Sequence, residues 1–321
     1  MSRCTAVAHP NIALVKYWGK RDIARNLPAV PSLSLTLSGF QTTTEVHWGA
    51  DADVVELDGA VVEGREAGRV LQFLDRLDPQ RPPVHVVSTN TFPRGAGLAS
   101  SASGFAALTL AATGAAGIER SREELSALAR QGSGSACRSL WGGFVQWHLG
   151  ERSDGTDSHG APVAPADHWD VRMVVAVVHA GKKAVGSTEG MERSRATSPY
   201  YATWVATAAD DVARGIEAVR ARDLEQLGTV MEQSTQKMHA TMHTSWPPLI
   251  YWQAGTVAAM HEVLALRARG IGAWATMDAG PQVKVLCEAA DAEAVAATLR
   301  PHAEQVHILA PGNAARVTSP A

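Results

Sequence analysis

The 321-residue sequence is poor in cysteine, in net charge and in long apolar runs, and each shortage excludes a class of protein. The three cysteines, Cys4, Cys137 and Cys287, are an odd number and lie far apart. They predict neither a disulfide framework nor a paired-cysteine metal site. No apolar run approaches the roughly 20 residues of a membrane-spanning helix, and the N-terminus lacks the pattern of a signal peptide. We therefore expect a cytoplasmic protein with no membrane partner.

Excess positive charge and the commonest catalytic motifs are absent as well. Lysine and arginine number 29 against 32 aspartate and glutamate residues, which gives a formal net charge of −3. Because broad binding of nucleic acid depends on a basic field, we expect no nucleic-acid partner. Local clusters must then bind any phosphate group. The sequence contains no HExxH or GxSxG motif, so it indicates neither a zinc protease nor an α/β-hydrolase.

The hydrophobic pattern predicts an α+β protein with a sizeable core. Hydrophobic residues make up 45% of the chain, which argues against disorder. Leucines alternate with serine and threonine over residues 33–38, and this period of two predicts a half-buried strand. Ser121 and Glu124 predict a capping box at the start of a helix. The segment 150–170 is rich in Gly, Ser, Asp and Pro and is expected to be an exposed loop.

The order of these patterns predicts two lobes. Strand patterns dominate the first ninety residues, whereas helical patterns dominate residues 200–269 and are followed by further strands. A strand-rich region followed by a helix-and-strand layer is typical of an α+β protein. We predict domains at residues 1–185 and 186–321.

A glycine-rich segment at residues 93–102 (PRGAGLASSA) lies between a strand pattern and a helix pattern. Glycine lets the backbone approach a ligand closely, and a helix N-terminus attracts phosphate. Ser100 and Ser101 add hydroxyls suited to a phosphate oxygen or to Mg²⁺. The segment lacks the third glycine of a Rossmann fingerprint and the Gly-Lys-Ser/Thr ending of a P-loop. By itself it is also compatible with a tight strand-to-helix turn.

A second segment of this kind covers residues 132–140 (GSGSACRSL). Its serines, its backbone amides and Arg138 suit an anion with several oxygens, because arginine binds such anions in a bidentate way. An N-capped helix with a solvated arginine is the alternative. Two such segments in one chain favour a polyanionic ligand.

Two further segments contain candidate chemistry. Residues 11–22 (NIALVKYWGKRD) place three cations around a tyrosine–tryptophan pair, as a phosphate clamp or a basic surface loop would. Asp278 stands between an apolar strand and a Gly-Pro turn, where turn chemistry alone also explains an aspartate. Residues 186–191 are expected to be a Ser/Gly loop near the boundary between the lobes.

Together these segments closely resemble the diphosphomevalonate decarboxylases of the GHMP kinase superfamily. The resemblance is carried, in the family's order, by NIALVKYWGKRD, PSLSLTL, FPRGAGLASSASGFAAL, GSGSACRSLWGGFVQW, STEGM, TSPYY and MDAGPQVKVL. The glycine-rich loop is shared by the whole superfamily, whereas KYWGKRD, GSGSACRSL and DAGP are far more specific to the decarboxylases. The resemblance implies an N-terminal lobe like ribosomal protein S5 domain 2, a ferredoxin-like C-terminal lobe and an active site in the cleft between them.

The resemblance also implies a reaction in the mevalonate pathway. (R)-5-diphosphomevalonate and ATP would give isopentenyl diphosphate, CO₂, ADP and phosphate, with Mg²⁺ as metal and a homodimer as the assembly. Two alternatives stay open within the superfamily: a decarboxylase that acts on the monophosphate, and a mevalonate 3-kinase that stops after phosphoryl transfer. A third alternative is a nucleotide-binding regulator without catalysis.

Individual roles follow from the same resemblance. Asp278 corresponds to the carboxylate near the 3-hydroxyl, the family's general base or orienting group. Lys16 corresponds to a lysine at the reacting centre that balances phosphate charge. Arg138 corresponds to the arginine that holds the substrate carboxylate, and Asn11 to an orienting amide. Thr188 stands where some bacterial members carry an arginine near the diphosphate. Residues corresponding to substrate contacts are Tyr17, Lys20, Ser133, Ser135, Arg138, Ser187 and Met191. Those corresponding to the ATP loop are Gly95, Ala96, Gly97, Leu98, Ala99, Ser100 and Ser101, with Ser101 nearest the metal.

Overall fold

The computed structural model describes residues 3–92, 100–181 and 184–319, which contain strands and helices in mixed order. The strands are β1 (Arg3–Ala8), β2 (Asn11–Val15), β3 (Lys20–Asp22), β4 (Leu27–Pro28), β5 (Ser32–Thr36), β6 (Thr42–Trp48), β7 (Val54–Leu57), β8 (Ala60–Val61), β9 (Val84–Asn90), β10 (Phe144–Trp147), β11 (Gly160–Ala164), β12 (Val171–Val177), β13 (Ala273–Met277), β14 (Val283–Glu288), β15 (Gln305–Leu309) and β16 (Arg316–Ser319). The helices are α1 (Gly64–Leu77), α2 (Ser100–Ala115), α3 (Arg122–Gly132), α4 (Ala136–Ser139), α5 (Ser187–Thr197), α6 (Tyr201–Ala221), α7 (Leu224–His243), α8 (Ala254–Ala268) and α9 (Ala292–Leu299).

The first sheet has six strands in the order β16-β1-β6-β9-β7-β8. Neighbouring strands are antiparallel, except that β7 runs parallel to β9. Helix α2 packs across β1 and β6 and is buried on nearly every face. Its many alanines allow this close approach, and Phe105 meets Phe73 of α1 edge to face at 5.4 Å. The start of α2 is thereby fixed at one end of the first sheet.

Two four-stranded sheets enclose a helical layer. The second sheet has the order β11-β10-β5-β2, and the third has the order β13-β14-β12-β15. Leu35 of the second sheet, Val212 of α6, Val230 of α7 and Leu286 of the third sheet belong to one buried apolar cluster. Helices α8 and α9 pack on the opposite face of the third sheet. The third sheet is therefore buried on both faces.

Strand β5 differs from the half-buried strand that its alternation predicts, because it is buried on both faces. Ser34 and Thr36 are 0% exposed, like the leucines between them. Thr36 Oγ1 donates to the carbonyl of Trp141 at 2.9 Å, which satisfies a hydroxyl that would be costly to bury alone. The polar face of the strand therefore packs against protein instead of solvent.

Two segments predicted to be loops contain regular structure. Strand β11 lies within the polar segment 150–170 and pairs with β10, whose edge would otherwise be unpaired. The Ser/Gly segment at 186–191 forms the start of α5, and packing of the buried Met191 and Ser194 accounts for this helix. Both loop predictions are wrong there. The capping box is confirmed, because Ser121 Oγ accepts from the Glu124 amide and the Glu124 carboxylate accepts from the Ser121 amide.

The chain passes twice between the first two sheets and the third. The first passage leads from β11 to β12, and the second leads from β15 to β16, which pairs with β1. On the second passage Gly312 donates to the Thr36 carbonyl and accepts from the Gly143 amide. Strand β12 pairs with β14 and β15, and the domain boundary at residues 185 and 186 stays a prediction. Among the described helices, none is long and apolar enough to cross a membrane.

Gly143 lies at the point where the second passage meets the second sheet, and we predict that Gly143→Ala destabilises the protein strongly. Gly143 and Gly117 both have φ of +65°, which costs a residue with a Cβ about 1 kcal/mol. A Cβ on Gly143 would lie 2.3 Å from the Ala164 carbonyl oxygen, whereas a Cβ on Gly117 would meet nothing within 4 Å. We expect urea unfolding to show a loss of about 1 kcal/mol for Gly117→Ala and roughly 2–4 kcal/mol for Gly143→Ala. Equal losses would contradict the role of the close contact.

Candidate active site

Asp278 follows β13, and each of its carboxylate oxygens accepts a hydrogen bond from a buried lysine. Lys16 Nζ lies 2.7 Å from Oδ1, and Lys284 Nζ lies 2.9 Å from Oδ2. Both lysine side chains are 1% exposed, whereas the Asp278 side chain is 34% exposed. The carboxylate is therefore accessible to a ligand, and its two cations are not.

Three elements hold this group in place. Lys16 follows β2, and its backbone amide donates to Ser234 Oγ of α7 at 2.9 Å. Its Nζ also donates to the Ala13 carbonyl at 2.9 Å, which orients the ammonium group. The turn after Asp278 is fastened by Thr256, whose hydroxyl donates to the Pro281 carbonyl at 2.6 Å. The group thus joins the second sheet to the third.

Electrostatics keep the Asp278 carboxylate ionised. Burial raises the pKa of Asp278, but the ammonium groups of Lys16 and Lys284 outweigh burial and hold this pKa well below its usual range. Burial also lowers the pKa of Lys16 to about 8, with Asp278 opposing this effect and Lys284 and Arg138 adding to it. At neutral pH Asp278 is an anion, and Lys16 loses its proton only slightly above neutrality.

Arg138 of α4 is a buried cation with an exposed fraction of 2%. Among the described residues no carboxylate forms an ion pair with it. Its Nε donates to Asn11 Oδ1 at 3.0 Å, and its Nη1 donates to Ser32 Oγ at 2.6 Å. Burial lowers the pKa of Arg138, and the charge of Asp278 raises it, so the two groups lie within electrostatic reach. A guanidinium held by neutral partners and within electrostatic reach of Lys16 suits an incoming carboxylate.

Asn11 links Arg138 to the second glycine- and serine-rich segment. Its Nδ2 donates to the Ser135 carbonyl at 3.1 Å and to Ser139 Oγ at 2.8 Å. Ser133 Oγ lies 3.2 Å from Ser101 Oγ, which belongs to the first turn of α2. The structure therefore brings the predicted catalytic residues, the second segment and the start of α2 into one connected region.

The start of α2 borders a cavity of about 170 Å³ that also reaches β6 and β9. Ser100, Ser101 and Asn90 line its polar side, and Val86 and Phe105 line its apolar side. The predicted ATP-loop residues Gly95, Ala96, Gly97, Leu98 and Ala99 lie outside the described residues.

The remaining predicted substrate contacts lie around Tyr17 and the start of α5. The Tyr17 hydroxyl is buried and has no hydrogen-bond partner among the described residues. The centroid of the Tyr17 ring lies 4.6 Å from the centroid of the Trp147 ring. Lys20 Nζ donates to Thr188 Oγ1 at 3.2 Å, next to Ser187 at the first position of α5. Burial lowers the pKa of Lys20, and the charge of Glu192 opposes this. These side chains offer a cation and hydroxyls to an anion.

Met191 lies in a different setting from the other predicted contacts. It is 6% exposed and belongs to an apolar cluster with Trp18 and Trp204, against which Tyr17 also packs. The side chain takes part in packing beneath Tyr17, and its substrate contact stays a prediction.

Sequence reasoning missed three residues of this region: Lys284, Ser32 and Ser139. Lys284 lies in the MDAGPQVKVL segment quoted above. A lysine between two valines of an apolar strand was the signal that could have identified it. The serines carry no such signal, because their role depends on pairing with Arg138 and Asn11 across more than a hundred residues.

We predict that Asn11→Ala lowers the free energy of unfolding more than Ser32→Ala does. The first change removes three hydrogen bonds, one of them from the Nε of the buried Arg138 guanidinium, whereas the second removes one bond, from the Nη1 of the same group. We expect losses of about 3 kcal/mol for Asn11→Ala and about 1.5 kcal/mol for Ser32→Ala in urea unfolding. A smaller loss for Asn11→Ala would contradict its place as the centre of this network.

Comparisons with known proteins identify the family of this chain. The family model "Diphosphomevalonate decarboxylase-like N-terminal domain" matches residues 8–160, and "Mevalonate 5-diphosphate decarboxylase C-terminal domain" matches residues 173–312. The diphosphomevalonate decarboxylase of Aspergillus fumigatus is 41% identical, covering 93% of this chain and 80% of that protein.

Solved structures show the same similarity over the whole fold. The mevalonate diphosphate decarboxylase of Staphylococcus aureus is similar with a TM-score of 0.94 and 34% identity, covering 99% of this chain and 98% of that one. A structure described as "MDDEF in complex with MVAPP, AMPPCP and Magnesium" has a TM-score of 0.92 and 38% identity, covering 99% of both chains. These similarities confirm the predicted two-lobed GHMP kinase fold of the α+β class. The chain belongs to the diphosphomevalonate decarboxylase family.

Proposed function

We propose that the protein catalyses the ATP-dependent decarboxylation of (R)-5-diphosphomevalonate to isopentenyl diphosphate, with release of CO₂, ADP and phosphate. The observation that carries this proposal is the accessible Asp278 carboxylate, held by Lys16 and within electrostatic reach of the buried Arg138. Membership of the family and the similarity to a complex with MVAPP, AMPPCP and magnesium support it.

The chemistry explains why both a carboxylate and a guanidinium are needed. A 3-hydroxy acid has no carbonyl group β to its carboxylate, so the electrons released with CO₂ lack an acceptor. Transfer of a phosphoryl group to the tertiary 3-hydroxyl turns that oxygen into a leaving group. Its departure leaves positive character at C3, and the electrons of the breaking C–CO₂ bond form the alkene. The protein must therefore orient the hydroxyl, hold the carboxylate and balance the transferred charge.

We assign these tasks to the four residues at the centre of the site. Asp278 accepts the hydrogen bond of the 3-hydroxyl, orients its oxygen towards ATP and takes up its proton as the phosphoryl group is transferred. Lys16 balances the charge of the transferring phosphoryl group, and Arg138 binds the substrate carboxylate through its fork of donors. Asn11 orients Arg138 and the substrate. The accessible side of Asp278 and the neutral partners of Arg138 support these roles.

We place ATP at the start of α2, along the cavity lined by Ser100 and Ser101. The apolar side of the cavity suits a nucleobase, and the hydroxyls at a helix N-terminus suit phosphates. Mg²⁺ bound to the phosphates would neutralise charge that develops during phosphoryl transfer. Among the described residues there is no cluster of three His, Cys, Asp or Glu side chains for a metal. This fits Mg²⁺, which is commonly held by phosphates and few protein ligands, here Ser101.

We place the 5-diphosphate between Tyr17, Lys20 and the serines at 133, 135 and 187. The buried Tyr17 hydroxyl without a described partner and the partly desolvated Lys20 ammonium support this assignment. Their number favours a diphosphate over a monophosphate. A lower kcat/KM for mevalonate 5-phosphate than for the 5-diphosphate would agree with it.

The decisive experiment measures ADP and CO₂ release from synthetic 5-diphosphomevalonate and Mg-ATP, with Asp278→Asn as the variant. We expect equal amounts of ADP and CO₂ from the wild-type protein. The amide introduced by this substitution keeps the shape of the side chain but loses the charge, so we expect kcat to fall roughly 10²–10⁴-fold while ATP still binds. ADP without CO₂ would identify the kinase alternative, and wild-type-like rates for Asp278→Asn would show that its role is misassigned.

We also propose that the protein is a cytoplasmic homodimer. The family resemblance supports the assembly, and three buried cysteines without disulfides suit a reducing compartment. Sedimentation equilibrium should give twice the 33.9 kDa mass of the chain. A single species at the monomer mass across micromolar concentrations would contradict the dimer.

A further inference from the structure

Lys284 is a charged residue in the interior of a buried strand. It is the second residue of β14, a strand with a neighbour on each side in the third sheet, and the adjacent Val283 and Val285 are both 0% exposed. Burying an ammonium group costs several kcal/mol even after relaxation, and one ion pair seldom recovers that cost. An apolar side chain at this position would serve the stability of the sheet better. The position of Lys284 therefore requires an explanation other than packing.

The single described hydrogen bond of the Lys284 ammonium group goes to Asp278. Its Nζ lies 2.9 Å from Oδ2, while the other oxygen is occupied by Lys16. A carboxylate bound through one oxygen can rotate about its last torsion, and its free oxygen can turn to water. Two buried donors on opposite oxygens remove this freedom. They leave the remaining lone pairs of the carboxylate as the part that faces a ligand.

We propose that Lys284 is a positioning residue that fixes the orientation and the negative charge of Asp278 for its reaction with the 3-hydroxyl of the substrate. The inference rests on the proposed function, because it acts through Asp278. Lys284 therefore contributes to the chemical step more than to substrate binding.

The groups that face this centre determine how a change at Lys284 appears in a pH profile. They are Asp278, Lys16, Arg138 and, from α7, the buried imidazole of His239. Burial lowers the pKa of His239 to about 3, so this ring stays neutral across the measured range. The Lys16 ammonium is charged below about pH 8 and neutral above it. Because Lys284 is a like charge that lowers the pKa of Lys16, removing it moves the deprotonation of Lys16 to higher pH.

The test compares Lys284→Met, which keeps the length but not the charge, with Lys284→Arg, which keeps the charge. For Lys284→Met we expect kcat to fall about 10- to 100-fold, as for other residues that orient a reacting group, with KM little changed. We expect the alkaline limb of kcat/KM, near pH 8 in the wild type, to move up by about one pH unit. Lys284→Arg should restore most of kcat and keep the limb near its wild-type position.

Lys237→Met is the matched control, because Lys237 pairs with the buried Asp211 in a groove between α6 and α7, outside the candidate site. It should lower the midpoint of urea unfolding without moving the alkaline limb. If Lys284→Met behaves in the same way, or changes kcat less than about twofold, Lys284 is structural and the inference is wrong. If Lys284→Met does not fold, Lys284→Gln replaces it, and we expect the same upward shift in the alkaline limb of kcat/KM. A wild-type protein that releases neither ADP nor CO₂ would instead overturn the proposed function.

Discussion

The site depends on a concentration of buried positive charge around one carboxylate. Lys16, Lys284 and Arg138 are each at most 2% exposed, and Asp278 supplies one negative charge against the three. Such an arrangement is costly in an empty protein, since buried charges require partners. A substrate that brings a carboxylate and several phosphates provides them. The excess positive charge, which Arg138 directs at the substrate carboxylate, thus selects a polyanion for the site.

These cations come from distant parts of the chain, so the site requires most of the fold. Lys16 follows a strand of the second sheet, Lys284 lies inside the third sheet, and Arg138 belongs to the short helix α4. Helix α7 connects the first two, because Ser234 binds the Lys16 backbone and the same helix packs on β13. A change in packing between the helical layer and either sheet would therefore directly alter the surroundings of the Asp278 carboxylate.

Local patterns predicted more of the fold than of the site. The capping box at Ser121 and the strand pattern over residues 33–38 were visible in the sequence because their causes are local. Helix α5 was not, since its Ser/Gly-rich start resembles a loop and tertiary packing stabilises it. Asp278 was identified by its motif, whereas Lys284 was not, because its partner lies on the neighbouring turn and only the folded sheet shows that the pair is buried.

The two covalent passages between the sheets also limit how the halves can move. One passage lies before β12 and the other after β15, and the second is fastened to β5 through Gly312. One buried apolar cluster also spans the second sheet, the helical layer and the third sheet. The ion pair between Asp278 on one side and Lys16 on the other therefore crosses a junction that two connections and a shared core already hold together.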